Sequence, residues 1–147
     1  MSRRSTSPSS TLLCACGSGN SAANCCLAYI ETTVAAPSAQ ALMRSRYTAY
    51  TMARIDYLLC TWHPSTRPAQ LSIDPAIRWL GLKLKHIDGG RPGDSEGSVE
   101  FIARFKVGSR ADRIHEDSRF VFENGGWLYV DGSVKHQPQM RPGRQAS

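Results

Sequence analysis

Four of the five cysteines in this 147-residue chain fall between positions 14 and 26, as Cys14-Ala15-Cys16 and Cys25-Cys26. Two thiols one residue apart can hold one side of a small cation, and an adjacent pair can close the other. The intervening Gly17-Ser18-Gly19 supplies the positive-φ positions that a tight knuckle needs. Four thiolates round one ion describe a closed structural zinc site, with no position left for a reacting water. A redox role is the weaker reading: there is no C-x-x-C, and Cys25-Cys26 could form only a strained vicinal disulfide. Cys60 stands apart and reads as a buried free thiol of the core.

The second set of candidates is charged residues on apolar surfaces. From Ser38, a good N-cap, to about Met52 the chain has a helical period. Ala39, Leu42, Met43, Tyr47 and Tyr50 share one face; Gln40, Arg44, Thr48 and Thr51 share the opposite one. Arg46 points close to the middle of the apolar face. A guanidinium there must snorkel to the rim, meet a buried carboxylate or face a ligand. Further on the period drops to two. Leu80, Leu82 and Leu84 alternate with Gly81, Lys83 and Lys85, and Val99, Phe101, Ala103, Phe105 and Val107 alternate with Glu100, Arg104 and Lys106. Strands over 112–123 and 127–130 follow, after turns near Gly108-Ser109 and Asn124-Gly125-Gly126. Setting Phe105 opposite Ile114 places Val99 opposite Phe120 and Glu100 opposite Arg119. Glu116 and Ser118 then lie on the apolar face, where Arg46 is the expected partner of Glu116. A one-residue slip would turn His115 and Asp117 inward instead.

Shorter elements complete the order. Asp56 is expected to cap a short helix through Cys60, ended by the prolines of Trp62-His63-Pro64-Ser65-Thr66-Arg67-Pro68. Residues 27–36 read as a connector, Asp74-Pro75 as the start of another helical turn, and 88–97 as a glycine-rich loop. Helices followed by an antiparallel meander predict an α+β fold, with helices packed on one face of a curved antiparallel sheet. The domain plan is a knuckle at 14–27 and an α+β domain at 37–132, between disordered tails at 1–13 and 133–147.

Arg46, Tyr50, Trp62, Arg67, Glu116 and Ser118 are the candidate ligand-pocket residues. A carboxylate in apolar surroundings can act as a general base, so Glu116, His115, Asp117 and His63 are the catalytic candidates. No phosphate loop, H-E-x-x-H or G-x-S-x-G is present. The favoured reading is therefore a zinc-stabilised binding module that engages an unknown protein or small-molecule ligand. The alternative is a small-molecule enzyme of isomerase, dehydratase or hydrolase type.

Hydrophobic content of 41% and charged content of 20% are those of an ordinary globular chain. The N-terminus has no apolar signal region and no run of 18 apolar residues occurs, so a cytoplasmic address with no membrane span is expected. Arg3 and Arg4 at one end and Lys135, Arg141 and Arg144 at the other supply most of the net charge of +6. Residues 13–132 are close to neutral, which speaks against a broad basic face and a nucleic-acid partner.

Cys14, Cys16, Gly17-Ser18-Gly19, Cys25 and Cys26 resemble the SEC-C zinc motif, known from the tail of the translocation ATPase SecA. Segments 41–50, 55–59, 61–67, 79–82, 99–101, 115–120 and 127–132 resemble the bacterial YchJ-type family. That family joins such a knuckle to a nuclear-transport-factor-2-like (SnoaL-like) domain, and the resemblance covers about residues 14–132. It implies a conical α+β barrel with a pocket and bound zinc, and no established reaction. Where SEC-C motifs usually carry proline, lysine, an aromatic and glycine, this chain has Ala15, Asn20, Ala22 and Leu27. SecA-type docking onto the chaperone SecB is therefore not expected here. Barrels of this class often pair through the open sheet face, which makes a homodimer the analogous expectation.

Overall fold

The computed structural model describes residues 12–136. The tail readings for 1–11 and 137–147 lie outside them. Helix α1 (Leu27–Ile30) lies in the stretch expected to be a plain connector, and α2 (Ala39–Thr51) and α3 (Ile55–Cys60) follow. Strands β1 (Ile77–Gly89), β2 (Glu96–Val107), β3 (Arg110–Glu123) and β4 (Gly126–His136) form one antiparallel sheet in the order β1-β2-β3-β4. The α+β reading holds: α2 lies across the sheet, touching β1, β2 and β4. None of the described helices is long and apolar enough to cross a membrane.

The capping expected for α2 is present, with Ser38 Oγ accepting from the Ala41 amide at 3.1 Å. Leu42, Leu58, Val99, Phe105 and Phe120 are less than 2% exposed. Burial of each such side chain contributes about 1.5–3 kcal/mol. These residues seal the helices onto one face of the sheet. The loop between β1 and β2 is docked under the start of α2, where the Ala39 amide donates to the Gly90 carbonyl at 2.9 Å. A Cβ at Gly90 would come within 2.5 Å of the Ala39 Cβ, so glycine is required by that approach.

Turn chemistry sets the register. Gly108-Ser109 joins Val107 directly to Arg110, with Gly108 at φ 62°. Asn124 and Gly125, at φ 53° and 83°, join Glu123 to Gly126 as a two-residue loop. The tight first turn pairs Val99 with Ser118 and Phe101 with Glu116. That is two residues away from the expected register. Because strand side chains alternate with period two, an even displacement leaves every residue on its expected face. Glu116 and Ser118 are therefore on the helix side, and His115 and Asp117 are turned away. Glu100 faces Asp117 rather than Arg119; Arg119 is held instead by both carboxylate oxygens of Asp131, at 2.9 and 3.0 Å.

Other local readings are corrected. Residue Arg54, not Asp56, precedes α3 as its N-cap, and Asp56 sits in the first turn, bonded back to Arg54 at 3.1 and 3.2 Å. Asp74-Pro75 makes a turn leading into β1 rather than a helix, with the Ala76 amide donating to Asp74 Oδ1 at 2.9 Å. The glycine-rich loop is shorter than expected, because β1 runs on to Gly89 and β2 begins at Glu96. β4 continues to His136, so residues 133–136 are strand and not tail. Cys60 is exposed at the end of α3 and is not a core thiol.

Candidate metal centre and buried arginine site

The knuckle folds back on itself through short-range bonds. Leu13 bridges Ser21, and the Cys14 amide donates to the Asn20 carbonyl at 2.8 Å. Gly17 and Gly19 have φ of 81° and 89°, which only glycine adopts without strain. This ribbon brings Cys14 and Cys16 against Cys25 and Cys26, which precede α1. The four Sγ atoms all lie within 4.8 Å of one another. Zinc–sulfur bonds of about 2.3 Å place tetrahedral sulfurs roughly 3.8 Å apart. The distances of 3.6 Å from Cys16 to Cys25 and 3.9 Å from Cys25 to Cys26 bracket that edge. The donor set and its spacing fit a metal ion.

The surroundings favour thiolate. The hydrogen bond from the Cys26 thiol pulls Cys16 down to about 4 against the opposing effect of burial. The same bond, with burial added, pushes Cys26 far up. Of the two, Cys16 is the one this arrangement favours as thiolate. Ser18 Oγ lies 3.2 Å from Cys25 Sγ. Thr48 Oγ1 lies 3.7 Å from Cys14 Sγ, and Arg44 Nη1 donates to the Cys16 carbonyl at 2.8 Å while standing 3.7 Å from Cys16 Sγ. Arg44 and Thr48 are on the stripe of α2 that the period assigned to the side away from the core. At these two positions the knuckle covers the stripe. Cys14, Cys16 and Cys26 belong to the same buried cluster as Leu42 and Phe101.

Replacing Arg44 by Ala is expected to weaken metal binding about 10- to 100-fold, the usual loss for an outer partner of a metal ligand. Competition against a chromogenic chelator measures it. An unchanged affinity would show that the guanidinium only fastens the Cys16 carbonyl.

The second site lies on the other side of α2. Arg46 is 4% exposed and does not snorkel. Its Nη1 donates to the Leu58 carbonyl at 2.8 Å and to Thr61 Oγ1 at 2.7 Å. Its Cζ stands 4.9 Å from the Trp62 ring centroid and 4.7 Å from that of Tyr129. Burial lowers its pKa, and the charges of nearby tyrosines and Glu116 oppose that shift; a guanidinium nevertheless stays protonated. The Tyr129 hydroxyl donates to Glu116 Oε2 at 3.4 Å. The segment that carries Trp62 is pinned by Tyr129, whose amide donates to the Thr61 carbonyl at 2.8 Å and whose carbonyl accepts from the His63 amide at 2.7 Å.

The structure thus brings Arg46, Trp62 and Glu116 together, with Ser118 buried beside them on the same sheet face. Tyr50 adjoins the same guanidinium, opposing the effect of burial on it, and its ring also packs near Trp79, with centroids 6.1 Å apart. The other candidates are placed elsewhere. Arg67 is exposed and donates to the Trp62 carbonyl at 2.8 and 3.0 Å. His63 is held between Ser65 and Glu123, at 2.8 and 3.1 Å. His115 bonds Glu100 at 2.8 Å on the face away from the helices, where Asp117 also lies.

Residues 38–132 match the family model described as YchJ, middle NTF2-like domain. The chain belongs to this family. A UPF0225 protein of Chromobacterium violaceum is 53% identical over 125 residues, covering 82% of this chain and 92% of the relative. Another, of Streptomyces coelicolor, is 45% identical over 119 residues, covering 81% and 93%. The solution structure of a SEC-C motif containing protein from Rhodopseudomonas palustris is similar, with TM-score 0.73 and 33% identity over 84% of this chain and 98% of that one. The crystal structure of a SEC-C motif containing protein from Psychrobacter arcticus has TM-score 0.69 over 88% and 86%, and at 22% identity it supports the fold alone.

In this YchJ-like chain the family match begins at Ser38, the cap of α2, so the cysteines lie ahead of the matched domain and reach it through Arg44 and Thr48. Tyr129 and Gly132 are the residues of the arginine site that the sequence reading passed over. Tyr129 reaches the site because, beyond its strand partner Phe120, it bridges Trp62, far away in the chain. Gly132 pairs with Ser118, and a Cβ there would fall inside the Glu116 carboxylate. Gly132→Ala is expected to cost about 1–3 kcal/mol, as overpacking does, read as a lower urea midpoint. A midpoint equal to wild type would mean that Glu116 can move aside freely.

Proposed function

We propose that this YchJ-like chain is a zinc-stabilised binding module, in which Cys14, Cys16, Cys25 and Cys26 hold one structural zinc. The observation that carries the reading is the gathering of four sulfurs within 4.8 Å of one another beside Arg44, whose positive charge offsets part of the net −2 of a four-thiolate zinc centre. All four protein ligands are thiols, so a bound zinc would have no open coordination position, and its contribution is to folding rather than to reaction. Free thiols in such a cluster belong in a reducing compartment, which favours the cytoplasm.

The enzyme reading is not favoured. Glu116 and His115 project from opposite faces of the sheet, and His115, which shares the outer face with Asp117, is held by Glu100 at 2.8 Å. Arg46 Nη1 is engaged by the Leu58 carbonyl and Thr61 Oγ1, and Glu116 is packed against Gly132 and Tyr129. The exposed knuckle positions Ala15 and Asn20 are small and neutral, which supports neither SecB-type docking nor another strongly charged contact there.

Metal analysis of protein purified without added metal tests the proposal. One zinc per chain, lost in Cys25→Ser, is the expected result. Protein that carries no zinc when purified, or that keeps its zinc in Cys25→Ser, would overturn it.

A further inference from the structure

The near-neutral total for residues 13–132 conceals a segregation of charge that only the sheet register reveals. On the face away from the helices, Arg104 of β2 sits directly opposite Arg113 of β3, and Arg78 of β1 opposite Lys106 of β2. An open groove of about 650 Å³ crosses this end of the face. Lys83, Lys85, Arg104 and Arg113 line it together with one acid, Asp112, and with Leu80, Leu82 and Ile102. None of these four cations has an ion-pair partner among the described residues. Asp112 lies 3.5 Å from His136. Further along the same face Glu100 is held by His115 at 2.8 Å and Asp131 by Arg119 at 2.9 Å, with Asp117 opposite Glu100.

Like charges directly opposite on neighbouring strands are destabilising, so two such pairs beside one groove require a reason. Protection of a sheet edge accounts for lysines on β1, an edge strand. It does not account for Arg104 and Arg113, because β2 and β3 are interior. A second copy of the chain is disfavoured as the occupant, since a two-fold contact would set this basic patch against itself. The pairing through the open sheet face expected by analogy is therefore not supported at this end of the sheet.

We propose that the groove binds the phosphate backbone of single-stranded nucleic acid. Polyanionic charge complements four unpaired cations, and a flexible strand can follow the groove. An acidic protein segment fits less well: it would have to immobilise separate long side chains and would find few apolar anchors beyond Leu80, Leu82 and Ile102. Residues 137–147, which follow β4, add Arg141 and Arg144 and no acid. No aromatic ring lines the groove among the described residues, so bases are not stacked and recognition is independent of sequence. The inference rests on the binding-module reading but not on the metal. Zinc content and nucleic-acid binding can fail separately.

The test is fluorescence anisotropy of the full chain with labelled 20-nucleotide oligo(U) and oligo(dT) between 50 and 200 mM salt. Both are expected to bind alike, with log K falling against log salt at a slope near −2.8 for about four phosphate contacts. Arg113→Glu gives the sharpest contrast: it is expected to raise the thermal midpoint by pairing with Arg104, yet to weaken binding at least about tenfold. Arg141→Gln with Arg144→Gln should keep most of the slope, and Arg104→Glu with Arg113→Glu should lose about half. Absence of binding at 50 mM salt would overturn the proposal. So would binding lost with the terminal arginines but kept in Arg104→Glu/Arg113→Glu, or equal competition by a 20-residue oligoglutamate, which would indicate an acidic protein partner.

Discussion

Stripping the metal with a strong chelator is expected to lower the thermal midpoint by about 12 °C. An ion present at about a thousand times its dissociation constant stabilises the folded chain by about 4 kcal/mol. For a chain of this size each kcal/mol corresponds to roughly 3 °C. The effect is large because the knuckle is part of the core: Cys16 and Cys26 are 0% and 1% exposed and pack in one cluster with Leu42. Without metal, four sulfurs within 4.8 Å share too few protons and hydrogen bonds to stay together. The cover over Arg44 and Thr48 then loosens. Calorimetry before and after chelation measures the shift, and Cys26→Ser should match the chelated protein. A midpoint that chelation leaves unchanged would mean that the knuckle packs without metal.

Arg46→Ala is expected to cost about 4 kcal/mol, near the range for breaking a buried charged arrangement. Removing the guanidinium takes donors from the Leu58 carbonyl and Thr61 Oγ1 and empties the space between Trp62 and Tyr129. It also removes positive charge near Glu116. An unsatisfied buried acceptor alone costs about 1–3 kcal/mol. Arg46→Lys should recover only part of the loss, because an ammonium cannot fill the space between two rings as a planar fork does. Arg46→Met restores volume but not the donors and should fall in the same intermediate range. Urea denaturation of the three variants separates the contributions. Near-wild-type stability of Arg46→Ala would show that the arginine is held for a ligand rather than for the fold.

The legible parts of this molecule were those written in local spacing. The cysteine pattern with its two glycines, the Ser38 cap, the helical period of α2 and the alternation of β2 each name their element. The inward face of Glu116 was legible too, because even a register wrong by two preserves facing. What could not be read was set by contacts distant in sequence. Gln40, Arg44, Thr48 and Thr51 form a polar stripe, and nothing local distinguishes a stripe facing water from one facing thiolates. Tyr129 joins Arg46 only because residues 61–63 pair with β4. Cys60 was placed in the core by residue type, yet it ends a six-residue helix at the surface. The near-neutral sum over 13–132 was sound arithmetic that hid a basic end of the sheet. Seeing Arg104 beside Arg113 requires the two-residue turn at Gly108-Ser109 that aligns them.

X-ray absorption at the zinc edge tests the central claim most directly, because it counts the atoms bound to the ion. The account predicts four sulfurs at about 2.3 Å and no oxygen or nitrogen ligand. A mixed shell of sulfur with oxygen or nitrogen, or no zinc edge at all, would contradict it.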